Sequence, residues 1–253
     1  MALTSWGIGK NLNRLSQVID TYPFIISAWV NRASTTGART VIHVGTGTTT
    51  NSRRADFYIN SSNSVNSAVF DTSTFAEAAS SAVSSVNTWF HCGGEWISTT
   101  SRASLLNGAN RGTNTTSVNP AASDRVYIGH LAVDNEIMGS TDGIAEISIW
   151  DGAGMTTGNM DSLLGKLYNG GAAGAGGNPL NITVEAAQPW TGKLVAYWPL
   201  TNTTDLADAS GNGHNLTMQG TLTNFASHPT IEAAGSPVPN TPIRPPTTVS
   251  IVP

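Results

Sequence analysis

One cysteine in 253 residues, Cys92, leaves no disulfide that could close within the chain. Charge is also scarce. Only 11% of residues are Asp, Glu, Lys or Arg, and the formal net charge is -4. A field this weak gives no basic face for nucleic acid and none for an anionic membrane. No apolar run approaches membrane-spanning length. The opening "MALTSWGIGK" lacks the apolar centre of a secretory signal, which predicts a protein made in a cytoplasm and not exported by that route. No long-range repeat is visible.

What the chain does have is glycine, 26 of them, and abundant Ser, Thr and Asn. That composition suits many turns and strands with hydroxylated outer faces, so it predicts an all-β protein. A chain of this length buries roughly three-quarters of its unfolded surface and needs no staples.

The segment "YPFIISAWVNR" is the first strong strand. Phe24, Ile26, Ala28 and Val30 share one face, and Ile25, Ser27 and Trp29 the other. Both faces are largely apolar, so the strand is expected to be central and covered on both sides. "ARTVIHVGTG", "RADFYINSS", "DRVYIGHLAV" and "DGIAEISIWDG" read as further strands, the last with Ala145, Ile147 and Ile149 on one face. "NTWFHCGGEWIS" and "RASLLNGANRGTN" read as a hairpin pair, and Asn107-Gly108 suits a type I′ turn. "FAEAASSAVSSV" is open between helix and irregular loop. "NLNRLSQVI" places Leu12, Leu15, Val18 and Ile19 on one helical stripe, predicting a short helix. "TTGNMDSLLGKLYNGG" predicts a second, with Asn159 as N-cap and Asn169-Gly170 as its stop. "KLVAYWPL" and "NLTMQGTLTNF" read as late strands. From Ser236, "SPVPNTPIRPPTTVSIVP" cannot pair inside a sheet and favours extended chain.

Several of these stretches together resemble a known family. "FIISAWVNR", "NTWFHCGGEWISTTSRASLLNG" and "YIGH…STDGIAEISIWDGAGMTTGNMDSLLGKLYNGG" resemble the laminin-G-like, or concanavalin A-like, sandwich. The resemblance covers roughly Phe24 to Thr221 and rests on Trp29, Trp89, His91, Asn107, Gly108, Gly129, Asp142, Gly143, Glu146, Trp150, Leu167 and Tyr168. It implies a jelly-roll sandwich of two antiparallel sheets. One departure stands out. A stretch like "AYWPL…DASGNGHN" opens such domains, whereas here it comes last. A permuted order is the simplest reading, with Leu194–Leu200 filling the slot left at the start of the sheet. The expected organisation is then an N-terminal helical or extended segment over 1–22, the sandwich over 23–235 with a Gly-rich internal connection at 170–178, and an extended arm over 236–253.

The late strand, the turn after it and the proline-rich ending are similar to virion proteins of tailed bacteriophages. That resemblance implies a non-enzymatic structural protein. A capsid decoration protein is the first expectation: a homo-oligomer on the capsid surface that binds the major capsid protein or other virion proteins. The arm, with Pro237, Pro239, Pro242, Arg244, Pro245 and Pro246, is the candidate docking element. The alternative is a carbohydrate-binding adhesin module, with Trp96 and Trp190 as candidate sugar platforms because their neighbours are polar.

Candidate metal ligands are Asp134, Asp142 and Asp208, oxygen donors in turn-rich segments that could suit Ca²⁺. Against this, a calcium site wants several oxygens and more than one carboxylate, so Asp208 is better read as a cap for "SGNG", and Asp134 and Asp142 as part of a solvated loop. No cofactor is otherwise implied. A glycosidase needs two carboxylates flanking the scissile bond. "GIAEISIWDG" supplies only Glu146 at alternate spacing, and Glu95 stands alone. His91 and Cys92 are adjacent in a strand and point to opposite faces, so they cannot pair.

Overall fold

The computed structural model describes residues 2–46, 52–119, 123–130, 137–169, 182 and 190–229. In chain order the strands are β1 (Ala2–Thr4), β2 (Asn11–Arg14), β3 (Phe24–Asn31), β4 (Arg39–Gly45), β5 (Arg54–Ile59), β6 (Ser64–Phe70), β7 (Phe75–Val83), β8 (Trp89–Ser98), β9 (Ser101–Leu106), β10 (Ala109–Asn114), β11 (Arg125–Ile128) and β12 (Gly143–Asp151). Helix α1 (Thr157–Tyr168) follows, then β13 (Leu194–Trp198), β14 (Thr217–Gln219) and β15 (Thr223–Phe225). The first sheet runs β10-β9-β8-β3-β12-β1-β15, with β13 also paired to β12; the second runs β14-β2-β11-β4-β5-β6-β7. All pairings are antiparallel, giving the expected all-β jelly-roll sandwich.

Strand β3 lies between β8 and β12 and is buried along its whole length. Phe24, Ile26, Ala28 and Val30 enter the core between the sheets. Ile25 faces the other way and packs with Met160, Leu163, Leu164 and Leu167 of α1. Burying each such side chain contributes about 1.5–3 kcal/mol. The helix comes so close that a Cβ on Gly93 would stand 2.8 Å from Leu164 Cδ1, which is why "HCGGEW" carries glycine there. In the second sheet one cross-strand row, Met218–Leu12–Ile128–Ile42–Phe57, faces the core. The adjacent row, Thr217–Asn13–Tyr127–His43–Asp56, faces outward, so a one-residue slip would exchange an apolar row for a polar one.

Several expectations are corrected. "NLNRLSQVI" forms no helix. Asn11–Arg14 is strand β2, with Leu12 in the core, while Leu15 is 67% exposed. Period-two pairing with β11 and β14 outweighs a helical stripe too short to stand alone. Residues 2–14 thus contribute a strand to each sheet and do not precede the sandwich. "FAEAASSAVSSV" contains the nine-residue strand β7, whose small residues let the facing sheet approach; Ser104 Oγ donates to Ala78 O at 2.9 Å. In β12, Ala145 does not share a face with Ile147 and Ile149. A bulge at Glu146, where φ is 53°, turns Ala145 outward toward Trp29 and brings Ile144 into the core instead. The N-cap of α1 is Thr156, whose hydroxyl accepts from Asn159 N at 3.2 Å; Asn169 ends the helix at φ 47°, as expected. Asn107 and Gly108 both have positive φ, as a type I′ turn requires. "NLTMQGTLTNF" is two strands. They break at Gly220 and join different sheets.

The late strand joins the first sheet. Strand β13 pairs with β12 over Ile147–Trp150, on the edge that β1 occupies at Ile144. The Gly-rich stretch at 170–178 and the arm at 236–253, with Pro237, Pro239, Pro242, Arg244, Pro245 and Pro246, lie outside the described residues.

Candidate functional site

Trp96 is not an exposed platform. It is fully buried, stacked on Phe24 at 4.9 Å and 7°, with the Phe57 ring edge-on at 5.9 Å. Its indole N–H donates to Ala68 O at 3.1 Å. Its polar neighbour Glu95 suggested exposure, yet Glu95 is itself buried on the opposite face of β8. Arg111 Nη1 reaches Glu95 Oε2 at 2.7 Å and also bonds Asp161 on α1. Burial pushes the Glu95 pKa up to about 7; Arg111 opposes that shift and Asp161 adds to it. Trp190 is half-buried against the α1 cluster, with Lys166 Nζ 5.1 Å above its ring.

The carboxylates proposed for metal are engaged otherwise. Asp142 is 1% exposed and accepts from Ala33 N at 2.8 Å, Gly139 N at 2.7 Å and Arg39 Nε at 3.1 Å. It ties β12 to the turn after β3 and to β4. Asp208 accepts from the backbone N–H groups of Tyr197, Ser210 and His214, each at 2.9 Å. Burial alone would raise its pKa, but these hydrogen bonds outweigh burial and hold it below the usual carboxylate range. "DLADASGNGHN" is therefore a capped turn that also clasps β13. Asp134 lies outside the described residues. Among the described residues, no three His, Cys, Asp or Glu side chains come close enough to share a metal ion.

Two buried histidines are oriented but unreachable. His91 Nε2 lies 2.7 Å from Ser27 Oγ, and burial lowers its pKa to about 3, so the imidazole is neutral. Cys92 points into the core from the opposite face, and burial raises its pKa. On the outer face of the second sheet, Asp56 accepts from Arg54 Nε and bonds His43 Nδ1, both at 2.7 Å, but His43 has no exposed surface.

An open cleft lies at the end of the sandwich, where the chain enters β3. This shallow cleft is lined by Ile19, Asp20, Tyr22, Phe24, Val44 and Asn119, with Thr21, Ala55 and Ser123 beside them. The floor is apolar because β3, β4 and β5 contribute inward-facing residues there. Tyr22 continues the aromatic stack, 5.8 Å from Phe24, and its ring is only half-buried. The hydroxyl of Tyr22 is enclosed and has no hydrogen-bond partner among the described residues, and burial raises its pKa against the pull of Arg102. Asp20, Thr21 and Asn119 stand exposed at the mouth. An aromatic and apolar floor with a carboxylate, an amide and hydroxyls at its edge suits a small polyhydroxylated ligand. None of these residues forms a sequence motif. An aromatic just before a strand carried no signal until the fold brought Asn119 and Ser123 beside it.

A two-sheet jelly roll with a rim cleft defines a lectin-like sandwich. The chain belongs to the concanavalin A-like lectin/glucanase superfamily, since the Laminin_G_3 family model matches residues 10–154. No curated protein matches it by sequence. Among solved structures it resembles a Bacteroides ovatus protein provisionally named as carbohydrate-binding, with TM-score 0.54 and 15% identity, covering 92% of this chain and 63% of that one. A heptameric pentraxin of Limulus polyphemus gives TM-score 0.49 and 14% identity, covering 62% of this chain and 75% of that one. Domain 4 of an extracellular arabinanase from Geobacillus stearothermophilus, solved with arabinotriose, gives 0.47 and 11%, covering 60% and 71%. At these identities the likeness is one of fold.

Proposed function

We propose that the protein is a non-catalytic carbohydrate-binding module whose sugar site is the rim cleft at Tyr22. The observation that carries this reading is the cleft's composition: a half-buried tyrosine ring over an apolar floor, with Asp20, Thr21 and Asn119 exposed around it. A pyranose has one apolar face for the ring and hydroxyls for the polar groups. The lectin-like superfamily and the Bacteroides ovatus likeness in fold agree with it. A non-catalytic role is supported by the carboxylates themselves. Glu95 is buried and tied to Arg111, and beyond Glu146 the outer face of β12 offers Ser148 and Trp150. Glycan-array screening followed by calorimetry tests the reading. Tyr22→Ala and Asp20→Asn are each expected to weaken binding about tenfold, close to 1.4 kcal/mol. Absence of any glycan ligand, or binding indifferent to both substitutions, would overturn it.

A second reading places this module on a bacteriophage particle, as a decoration or tail-associated protein in homo-oligomeric form. It is favoured by β13 completing the sheet from late in the chain, and by the proline-rich ending from Ser236. Truncation before Ser236 is then expected to abolish incorporation into particles, as read by mass spectrometry of purified virions. Normal incorporation would remove the arm from the mechanism.

A further inference from the structure

The bulge at Glu146 brings together three groups that the sugar cleft does not use. Glu146 adopts φ 53°, a backbone state that costs a non-glycine residue about 1–3 kcal/mol and persists where the surroundings enforce it. The bulge points its carboxylate to the outer face, where it is 1% exposed. Tyr197 of β13 donates its hydroxyl to Oε2. His228, three residues past β15, places Nε2 3.2 Å from Oε1, an ionic contact not aligned as a hydrogen bond. The imidazole lies beside the Trp89 ring, 6.5 Å between centroids.

The surroundings of His228 decide its protonation. Nδ1 lies 2.7 Å from Pro229 O, and Nε2 faces both Glu146 Oε1 and Pro199 O, the latter at 3.4 Å. All three neighbours are acceptors. A neutral imidazole carries a proton on one nitrogen only and would turn a lone pair toward oxygen on the other. Only the imidazolium satisfies both sides. The groups facing it are Glu146 from β12, Tyr197 behind that carboxylate from β13, the uncharged Trp89 from β8, and the Pro199 carbonyl; Asp205 also acts on Tyr197.

We propose that His228 and Glu146 form a protonation-operated latch that holds residues 226–229 against the sandwich while the imidazole is charged and releases them when it is neutral. Burial disfavours the charged imidazole, but the Glu146 contacts and the two carbonyls outweigh burial and raise the His228 pKa above its ordinary value. A raised folded-state pKa means the stabilisation is complete below about pH 6.5, the unfolded value, and is lost as pH rises through the folded one. The latch is therefore closed in mildly acidic solution and opens on the alkaline side.

Hydrogen exchange of the full chain, corrected for the intrinsic pH dependence of exchange, tests this over pH 5.5–9. Exchange in residues 224–229 is expected to accelerate about tenfold across the His228 titration, with β3 and β12 unchanged. His228→Gln is expected to exchange at the fast rate at every pH. NMR titration of His228 in Glu146→Gln is expected to show its pKa lowered from that of the wild type. Because Glu146→Gln disturbs a strained position, the wild-type titration and His228→Gln decide the matter if that variant fails to fold. Exchange in 224–229 that ignores pH in the wild type, or that is the same in His228→Gln as in the wild type at pH 5.5, would overturn the latch.

Discussion

Replacing Asp142 with alanine is expected to destabilise the protein by about 3–5 kcal/mol, a large part of the 5–15 kcal/mol that holds a typical domain together. The side chain has almost no exposed surface, and its two oxygens serve three donors from three parts of the chain: Ala33 N, Gly139 N and Arg39 Nε. Alanine leaves two N–H groups and a guanidinium without their acceptor. Each unmade bond costs the desolvation of its donor, about 1–3 kcal/mol and more for the charged one. Asp142→Asn should cost less, because one oxygen remains to accept while the new amide faces a donor. Urea unfolding monitored by tryptophan fluorescence reads both. A loss below about 1 kcal/mol for Asp142→Ala would show that the turn rebuilds without it.

The second large effect concerns Trp96. Truncation to alanine is expected to cost about 3–5 kcal/mol, lowering Tm by roughly 6–20 °C for a domain of this size. It removes a ring stacked on Phe24 and met edge-on by Phe57, and a hydrogen bond to Ala68 O across to the other sheet. Any loss of glycan binding in this variant would accompany loss of fold. Trp190→Ala leaves a half-exposed site where Lys166 covers one face, and should cost about 1 kcal/mol. Calorimetric Tm values for the pair decide this. Equal shifts would mean that Trp96 is less enclosed than its contacts indicate.

The contrast between these tryptophans shows what sequence pattern can and cannot convey. Strand β3 was legible because eight residues apolar on both faces admit little else than a covered central strand. The late strand β13 was legible because "LVAYWPL" needs a sheet, and one edge was open to receive it. Strand β2 was not. Four residues hold too little periodicity, and cross-strand partners more than a hundred residues away settle the outcome. The bulge at Glu146 shifts one face of β12 by a residue, and nothing local in "GIAEISIW" announces a positive φ. Trp96 looked exposed beside a glutamate because the sequence could not show Arg111 and Asp161 arriving to satisfy that carboxylate. The cleft was the least legible. Its walls come from the approach to β3, from β4 and β5, and from Asn119 and Ser123, which only the closed sandwich places side by side.

The most direct test of a sugar-binding rim is an NMR titration of the labelled chain with the best glycan from an array screen. Saturable shifts should cluster on Asp20, Thr21, Tyr22 and Asn119, with the outer face of α1 silent, and Tyr22→Ala should move their saturation to about tenfold higher sugar concentration. Saturable shifts confined to the α1 face around Trp190, or none at millimolar sugar, would contradict the assignment of the cleft.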